Sequence, residues 1–293
     1  MKTSKLFLTS LLAVFGGASF ASPLGAASSF NVFVRKNFTS QYSDTQGNMA
    51  IGGNMTVSGY STGLLSGGAG KKVLEVAGDL NYTSGSIEGT SLYGGNLNLK
   101  WVGLNYGAPA KGSTIDFDAA FKDLRAKSSQ WALLPTTGTA LQTYSTLNFT
   151  GSNSGLNVFT ITADQLNRGD LYQVKFNLPV GGKAIVNVLG STGNFRNIGY
   201  DNFAPEDVLW NFPTATSITN NAFKGSLLAP NADISGGYGV IEGQVIANSF
   251  TGPTQINLHL YSGNIQTQAV PEPASMVALG AGVLAVLRRR KSA

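Results

Sequence analysis

The stretch IGGNMTV at residues 51–57 is followed by VAGDLNY at residues 76–82 and by LYGGNLNL at residues 92–99. FKGSLLA at residues 223–229 and IEGQVIA at residues 241–247 repeat the same pattern, in which glycine and polar residues lie between apolar ones. The motif glycine stands at positions 53, 78 and 95 and at positions 225 and 243, so the intervals are 25, 17 and 18 residues. Such recurrence is typical of a β-solenoid, whose coils each supply short strands that stack on the next coil.

A β-sandwich is the alternative, but its turn signals should recur every 8 to 12 residues or so, which favours the solenoid here. The composition agrees with a turn-rich β protein, because 37 of the 293 residues are glycine and only 12% are charged. Disorder is disfavoured because 42% of the residues are hydrophobic and occur in short runs. We therefore predict a mainly β, β-helix-like domain over residues 22–269. Three alternating segments, at residues 157–162, 172–178 and 184–189, are predicted to form a more ordinary sheet within it.

The segment from Asp116 to Leu134 breaks the β pattern. Its apolar residues recur at steps of three and four, with charged residues between them, which predicts one inserted amphipathic helix. Thr114 or Asp116 is the expected N-cap, and Pro135 is expected to end the helix. The apolar stripe is predicted to pack against the flank of the solenoid, with a partner-binding or membrane-surface role as the alternative.

The first 21 residues have the pattern of a secretory signal peptide. Lys2 and Lys5 precede an apolar run at residues 6–15, and Ser19 and Ala21 form a small-x-small cleavage site. The segment predicts export, with the Sec machinery as a partner.

The last 24 residues, 270–293, form a second targeting pattern. An apolar run at residues 274–287 is shorter than the roughly 20 residues of a membrane-spanning helix, which indicates an apolar sorting helix. Around this run lie the residues predicted to act in sorting: Pro271, Glu272, Pro273, Arg288, Arg289 and Arg290. This order resembles the PEP-CTERM sorting signal of Gram-negative bacteria. The resemblance implies an exosortase-type processing enzyme as a partner and a transient stage at the inner membrane.

The basic character of the chain comes from these two ends. Two of the twenty Lys and Arg lie in the first segment and four in the last, which leaves fourteen. One of the fifteen Asp and Glu lies in the last segment, which also leaves fourteen. A nearly neutral domain gives no support for nucleic-acid binding. The absence of cysteine excludes disulfides and thiolate metal sites, so burial and hydrogen bonds must hold the domain together.

The domain itself resembles the choice-of-anchor A family. The resemblance rests on FNVFV at residues 30–34, GNMAIGGN at residues 47–54 and GYSTG at residues 59–63, and on the segments LWNFPTAT at residues 209–216 and FKGSLLAPNA at residues 223–232, followed by the motif at 241. It implies a bacterial adhesive domain of β-helical type with a C-terminal surface anchor. It implies no catalytic residues.

Enzyme and metal patterns are weak. Residues 59–63 satisfy G-x-S-x-G, and His259 follows later in the chain, so an esterase dependent on Ser61 is a remote alternative, but glycine-rich sequence follows where a helix is required. His259 is expected on the surface of an alternating strand, residues 257–261. The segment GAGKK at residues 68–72 lacks the Ser or Thr of a phosphate loop. Asp116 with Asp118, or Asp201 with Glu206 and Asp207, lacks calcium-loop spacing. We expect a protein that is not an enzyme and uses no cofactor or metal.

The sequence thus predicts an exported protein at the cell surface, outer membrane or extracellular matrix of a Gram-negative bacterium. The expected function is adhesion, with polysaccharide or matrix components as the ligand, because solenoid faces rich in Asn, Thr, Ser and Tyr present hydrogen-bonding groups and stacking rings. Self-assembly into a structural matrix is the alternative. Ice binding by a flat threonine face is a third hypothesis, although the sequence contains no regular Thr-x-Thr ladder.

Overall fold

A computed structural model describes residues 23–265 of the chain. The predicted signal peptide, with Ser19 and Ala21, and the predicted sorting segment, with its apolar helix, lie outside the described residues. The strands are β1 (Val32–Val34), β2 (Phe38–Thr45), β3 (Met49–Ile51), β4 (Met55–Thr62), β5 (Lys72–Val76), β6 (Leu80–Ile87), β7 (Thr90–Tyr93), β8 (Leu97–Leu104), β9 (Ala110–Lys111), β10 (Thr139–Thr143), β11 (Thr146–Thr150), β12 (Leu156–Thr162), β13 (Gln173–Asn177), β14 (Lys183–Leu189), β15 (Thr192–Phe195), β16 (Gly199–Asp201), β17 (Val208–Asn211), β18 (Ser217–Asn220), β19 (Phe223–Lys224), β20 (Ser226–Gly236), β21 (Val240–Glu242), β22 (Val245–Thr251) and β23 (Gln255–Asn257). The helices are α1 (Phe117–Trp131) and α2 (Ala163–Asn167), with short 3-10 helices at Gly25–Ser29 and Pro205–Asp207.

Nineteen of these strands form one curled parallel sheet, which confirms the predicted solenoid with an inserted helix. The strands of this sheet form three faces. The helix-side face stacks β12, β14, β17, β20, β22, β1, β3, β5, β7 and β9. The polar face stacks β15, β18, the second parts of β20 and β22, and the first parts of β2, β4, β6 and β8. The third face contains β19, β21, β23 and the ends of β2, β4, β6 and β8.

The order of coils in the stack differs from their order in the chain. Val32 in the first coil pairs with Met49 of the second coil on one side and with Val245 of the last coil on the other. The N-terminal coils and the C-terminal coils therefore meet at a seam between β22 and β2. The rings of Phe38 and Phe250 stack across this seam with centroids 5.1 Å apart, so the core continues through it.

Helix α1 connects the two groups of coils along the helix-side face. Asp116 is its N-cap, since the side chain accepts a hydrogen bond from the Ala119 amide at 2.9 Å. Phe121 and Leu124 are buried against the solenoid, which confirms the predicted packing of the apolar stripe. The helix ends at Trp131, because the next helical hydrogen bond would need an amide hydrogen at Pro135, which has none. The Asn187 side chain donates a hydrogen bond to the Trp131 carbonyl at 2.9 Å instead.

A buried carboxylate fixes the chain where it enters this helix. Glu75 of β5 accepts hydrogen bonds from the backbone amides of Thr114 and Ile115 and forms an ion pair with Lys72. The side chain is fully buried, and burial alone would raise its pKa. The Lys72 ammonium and the hydrogen bonds donated by Thr114 and Ile115 have together a larger effect than burial. The pKa of Glu75 is therefore lowered to about 2. The residue is therefore ionised in the folded protein at neutral pH.

The prediction of an ordinary sheet between the coils is wrong for most of its strands. β12 and β14 pair in parallel over seven residues and belong to the main stack, while β13 lies in a separate four-stranded sheet. Only the β10–β11 pair of that sheet is antiparallel. Helix α2, which the sequence pattern did not indicate, follows β12 directly, and its N-cap Thr162 forms a capping box with Gln165. Alternation along a strand does not distinguish parallel coils from hairpins, which explains the error.

Candidate binding surface on the polar face

The polar face carries a continuous column of small polar side chains, one from each strand. In stacking order the column contains Asn194, Thr219, Ser235, Thr251, Thr39, Thr56, Asn81 and Asn98. The members point outward, because the residues that alternate with them, such as Phe38, Ile218 and Phe250, are buried. Neighbouring strands are about 4.8 Å apart, so the column is a regular row of hydroxyl and amide groups.

Two further columns flank this row. On one side lie Thr192, Ser217, Asp233 and Ser249, and on the other lie Gln41, Ser58, Thr83 and Lys100. The surface contains few charges. Hydrogen bonds from the Ser249 hydroxyl and the Asn248 amide hold the pKa of Asp233 below its usual value, so this carboxylate is already engaged. The face thus offers mainly neutral donors and acceptors.

Hydrogen bonds between equivalent side chains of neighbouring strands hold the row in register. Asn98 donates to the Asn81 side chain at 2.7 Å, and Thr219 donates to the Asn194 side chain at 2.9 Å. At the corner before the polar face, the side chains of Asn37, Asn54 and Asp79 each accept a hydrogen bond from the backbone amide of the equivalent residue one coil later. These contacts order the surface before any ligand binds, which reduces the entropy lost on binding.

Exposed aromatic side chains lie at the corner between the polar face and the third face. Tyr42 and Trp101 are each 77% exposed and have φ angles of 51° and 56°. Gly59 and Ser84 occupy the equivalent positions of the coils between them and are also left-handed, so the conformation is a property of the corner. Bulky residues in this region are strained, and such strain concentrates at functional sites. Both rings are available for stacking against a ligand.

The residues of the remote esterase hypothesis do not assemble. Ser61 lies within β4, so the pentapeptide 59–63 is not the strand-to-helix turn that a nucleophile elbow requires. Its hydroxyl accepts a hydrogen bond from Ser86 at 3.1 Å. His259 lies between Glu206 and Glu242, at 3.4 Å and 3.2 Å. The expected strand around His259 is wrong, because β23 ends at residue 257.

The other sequence patterns have structural roles. Asp116 caps α1, Asp207 pairs with Lys183, and Asp201 accepts a hydrogen bond from Gln173. Among residues 23–265, no group of three or more His, Asp and Glu is arranged to hold a metal ion. In the same part of the chain, no helix combines the length and the apolar character needed to cross a bilayer.

The sequence analysis did not predict that three threonines lie side by side in this row. Thr251, Thr39 and Thr56 are consecutive in the row, but Thr251 and Thr39 are brought together only by the seam. A search along the chain for Thr-x-Thr cannot find a ladder that runs across the coils. The outward threonine two residues after Asn37 and Asn54 is the local signal that could have found part of it.

The chain is similar to several solved structures, but the sequence identities and TM-scores are low. The DUF3494 domain of ice-binding protein 1 from Shewanella frigidimarina is 16% identical, covers 84% of this chain and 98% of its own, and has a TM-score of 0.37. An ice-binding protein from the Antarctic ascomycete Antarctomyces psychrotrophicus is 18% identical, with coverages of 84% and 100% and a TM-score of 0.33. One from an Antarctic biological consortium is 16% identical, with coverages of 87% and 94% and a TM-score of 0.28. These likenesses carry no inference about the ligand of the present chain.

Comparison with protein families is more specific. No curated protein matches the chain. The model of the PEP-CTERM protein-sorting motif matches residues 269–291, and the model described as "Putative Ice-binding-like adhesive domain" matches residues 23–259. The description of the matching model as an adhesive domain agrees with the resemblance, but the model does not carry the choice-of-anchor A name. Proteins of the matched family bind without catalysis, which confirms that the chain is not an enzyme. The chain belongs to the ice-binding-like adhesive domain family.

Proposed function

We propose that this exported surface protein is an adhesin that binds neutral polysaccharide through its polar face. The observation that carries the proposal is the row of eight hydroxyl and amide side chains, one from each of eight stacked strands, with further polar columns beside it. A polysaccharide presents hydroxyl groups, which both donate and accept hydrogen bonds, along an extended chain. Asn, Thr, Ser and Gln side chains match both roles. Few charges lie on the face, so ionic attraction has a small part in this recognition.

The exposed rings of Tyr42 and Trp101 extend the proposed surface at one edge. A sugar ring has an apolar side that packs against an aromatic ring, while its hydroxyls remain free for the neighbouring polar side chains. The Tyr42 ring packs against Gly59 of the next coil. A Cβ added at that glycine would be 3.0 Å from the tyrosine Cδ1. The Nζ of Lys100 lies over one face of the Trp101 ring, 4.1 Å from its centroid.

Ice is the second candidate ligand, and the Thr251–Thr39–Thr56 part of the row favours it. The family model that matches residues 23–259 is described as ice-binding-like. Ice partitioning of the exported protein separates the two candidates, because an ice binder concentrates in a slowly grown ice fraction without any glycan. Polysaccharide pull-down without ice enrichment would favour the adhesin.

Removing two hydroxyls from the row is expected to weaken polysaccharide binding. The double variant Thr39→Val with Thr56→Val deletes two adjacent hydroxyls and keeps the side-chain shapes. At about 0.5–1.5 kcal/mol for each hydrogen bond, affinity should fall roughly 5-fold to 150-fold. Binding would be measured by co-sedimentation of the exported protein with exopolysaccharide from the producing cells.

The matched control is Thr139→Val with Thr150→Val, an exposed cross-strand pair in the four-stranded sheet away from the polar face. This control should bind as the unchanged protein does. Equal losses in both double variants would contradict the assignment of the ligand to the polar face. Concentration-dependent assembly without glycan would instead favour the self-assembling matrix protein.

We further propose that residues 270–293 direct the protein outward through an exosortase, and that the signal peptide uses the Sec machinery. The PEP-CTERM match supports this role for the segment that contains Pro271, Glu272, Pro273 and the three arginines. Deletion of residues 270–293 should stop the domain in the periplasm, because the processing enzyme then has no substrate sequence. Fractionation followed by immunoblotting measures the distribution. A deleted variant that reaches the cell surface as efficiently as the full chain would overturn this proposal.

A further inference from the structure

One end of the solenoid is covered and the other is open. At the covered end, β12 and β15 are the last strands of the stack, and α2 and the four-stranded sheet pack against them. The rings of Phe149 and Phe176 from that sheet lie with centroids 5.2 Å and 6.0 Å from the Phe159 ring of β12. At the other end, β8 pairs with β6 and β9 pairs with β7, and these are the only pairings of β8 and β9 within residues 23–265. We call the surface formed by β8 and β9 the open end.

The open end leaves core positions only partly covered. The inward apolar side chains of β8 are Leu97, Leu99, Val102 and Leu104. Their register partners in β6 include Leu80, Tyr82 and Ile87, which are fully buried, whereas the four side chains of β8 are only partly buried. A terminal unit of a repeat protein needs a cap for solubility. The free edge of β8 also presents backbone donors and acceptors to which another strand can bind.

The shape of β8 restricts which strand can pair with it. The strand bends at the corner between the polar face and the third face, where Trp101 has a φ angle of 56°. A flat strand cannot follow this bend over the whole length of β8. A second copy of β8 bends at the same place, and a two-fold axis through the corner brings the two bends together.

The inward side chains of β8 are complementary to themselves under this symmetry. An axis between residues 100 and 101 leaves four residues of the strand on each side and pairs the two copies in antiparallel register. Leu97 then lies opposite Leu104 of the second copy, and Leu99 lies opposite Val102. Each partly covered apolar residue therefore meets another one, and both cores are closed by the same contact.

The outward side chains are compatible with the same register. Asn98 lies opposite Gly103 of the second copy, so a polar side chain meets an open position. Lys100, the only charged residue of β8, lies opposite Trp101. Within one chain the Lys100 Nζ is already 4.1 Å from the centroid of that ring, so the second copy offers the lysine the same kind of contact.

We propose that the open end binds a second copy of this chain and forms a closed dimer with a two-fold axis at the corner of β8. Because the other end is covered, pairing stops at two copies. The polar face of one copy then continues along the stack as the third face of the other, so the two polar rows point in different directions. The inference goes beyond polysaccharide binding, but a dimer of this shape could bind two polymer chains at once.

The first test places a charge at the open end. The exported protein should have twice the monomer mass in sedimentation equilibrium. Leu99→Glu should raise the dissociation constant of the dimer by roughly 100-fold or more, because symmetry places two carboxylates among the apolar side chains. The matched control is Leu141→Glu, at a leucine that is 65% exposed in the four-stranded sheet of the covered end. It should dimerise as the unchanged protein does.

The second test uses the absence of cysteine from the chain. Asn98→Cys with Gly103→Cys puts thiols at positions that face each other only between two copies, because within one chain they lie on different faces. An added Cβ at Gly103 would be 3.5 Å from its nearest neighbours, so the substitution fits. Mild oxidation should give a disulfide-linked dimer on a non-reducing gel. Each single cysteine variant is the control and should stay unlinked.

Each result decides the proposal. A dimer mass that Leu99→Glu abolishes and Leu141→Glu keeps, together with linkage only in the double cysteine variant, is the expected outcome; if Leu99→Glu does not fold, the cysteine variants decide alone. A monomer mass at every concentration overturns the dimer. A dimer mass without linkage in the double cysteine variant places the contact elsewhere and overturns the pairing of β8. Growth beyond two copies overturns the closed dimer and favours the self-assembling matrix protein. None of these measurements uses polysaccharide, so their failure leaves the proposed adhesin intact.

Discussion

Gly85→Ala is expected to destabilise the domain by about 4 kcal/mol. Gly85 has a φ angle of 114°, and an added Cβ would lie 1.6 Å from the Tyr60 carbonyl oxygen of the neighbouring coil. That contact is with backbone, which cannot move aside without breaking the β4–β6 pairing. Overpacking costs roughly 1–3 kcal/mol, and an unfavourable backbone conformation costs about the same again. Urea unfolding of the exported protein measures the change.

The control for this prediction is Gly59→Ser, at a corner glycine of the preceding coil. Its φ angle is 58°, and the equivalent residues Tyr42, Ser84 and Trp101 show that non-glycine residues adopt this conformation in the same stack. An added Cβ would be 3.0 Å from the Tyr42 ring, which is a side chain that can rotate. We expect a loss of about 1 kcal/mol. Similar losses of stability for both variants would show that the close approach of Gly85 to the Tyr60 carbonyl does not cause the destabilisation.

Glu75→Gln is expected to cost about 3 kcal/mol at neutral pH and to loosen α1. The substituted amide places an NH2 group where the backbone amides of Thr114 and Ile115 donate, and it leaves Lys72 without its ion pair. Loss of one partner from a buried, hydrogen-bonded charge network is strongly destabilising. The measurements are urea unfolding and the rate of proteolysis within residues 117–131. Glu88→Gln, at a half-buried carboxylate bonded to Ser86 and Asn105, should cost about 1 kcal/mol or less.

The effect of Glu75 should depend on pH in a defined direction. Its pKa is about 2 in the folded protein, against an ordinary value of 4.5. A lowered pKa means that the unfolded chain binds the proton first, so the contribution is complete above about pH 4.5 and declines as the pH falls toward 2. The difference in unfolding free energy between the unchanged protein and Glu75→Gln should therefore shrink over that range. A difference that is constant from pH 6 to pH 2.5 would contradict the ionised state assigned to Glu75.

Much of the fold could be predicted from local patterns. The glycine motifs at residues 51–57 and 76–82 end up as adjacent coils, because inward apolar residues such as Met55 and Leu80 must stack to be buried. The amphipathic pattern around Phe121 and Leu124 identified α1, since a 15-residue helix gives its periodicity enough length to be recognised. Helix α2 has only five residues, which is too short for such a pattern.

Only the amino-acid composition of the binding surface could be predicted from the sequence. Asn, Thr and Ser were abundant, but their arrangement depends on which coils are neighbours. Nothing local to Thr39 or Thr251 specifies that they lie side by side, because the pairing of β2 with β22 joins opposite ends of the domain. Long-range register is set by the packing of the whole core, and a single sequence does not reveal it.

The seam also determines when the domain can be completed. The Val245 amide donates to the Asn31 carbonyl at 2.8 Å, and the Asn31 side chain donates to the Gly243 carbonyl across 212 residues of sequence. Such high contact order slows folding, because the entropy of closing a long loop is lost before the contacts form. A chain that emerges from its N-terminus must leave one edge of β1 and β2 open until residues 245–257 arrive. During that interval the nascent domain exposes an unpaired strand edge, which favours misassembly with other chains.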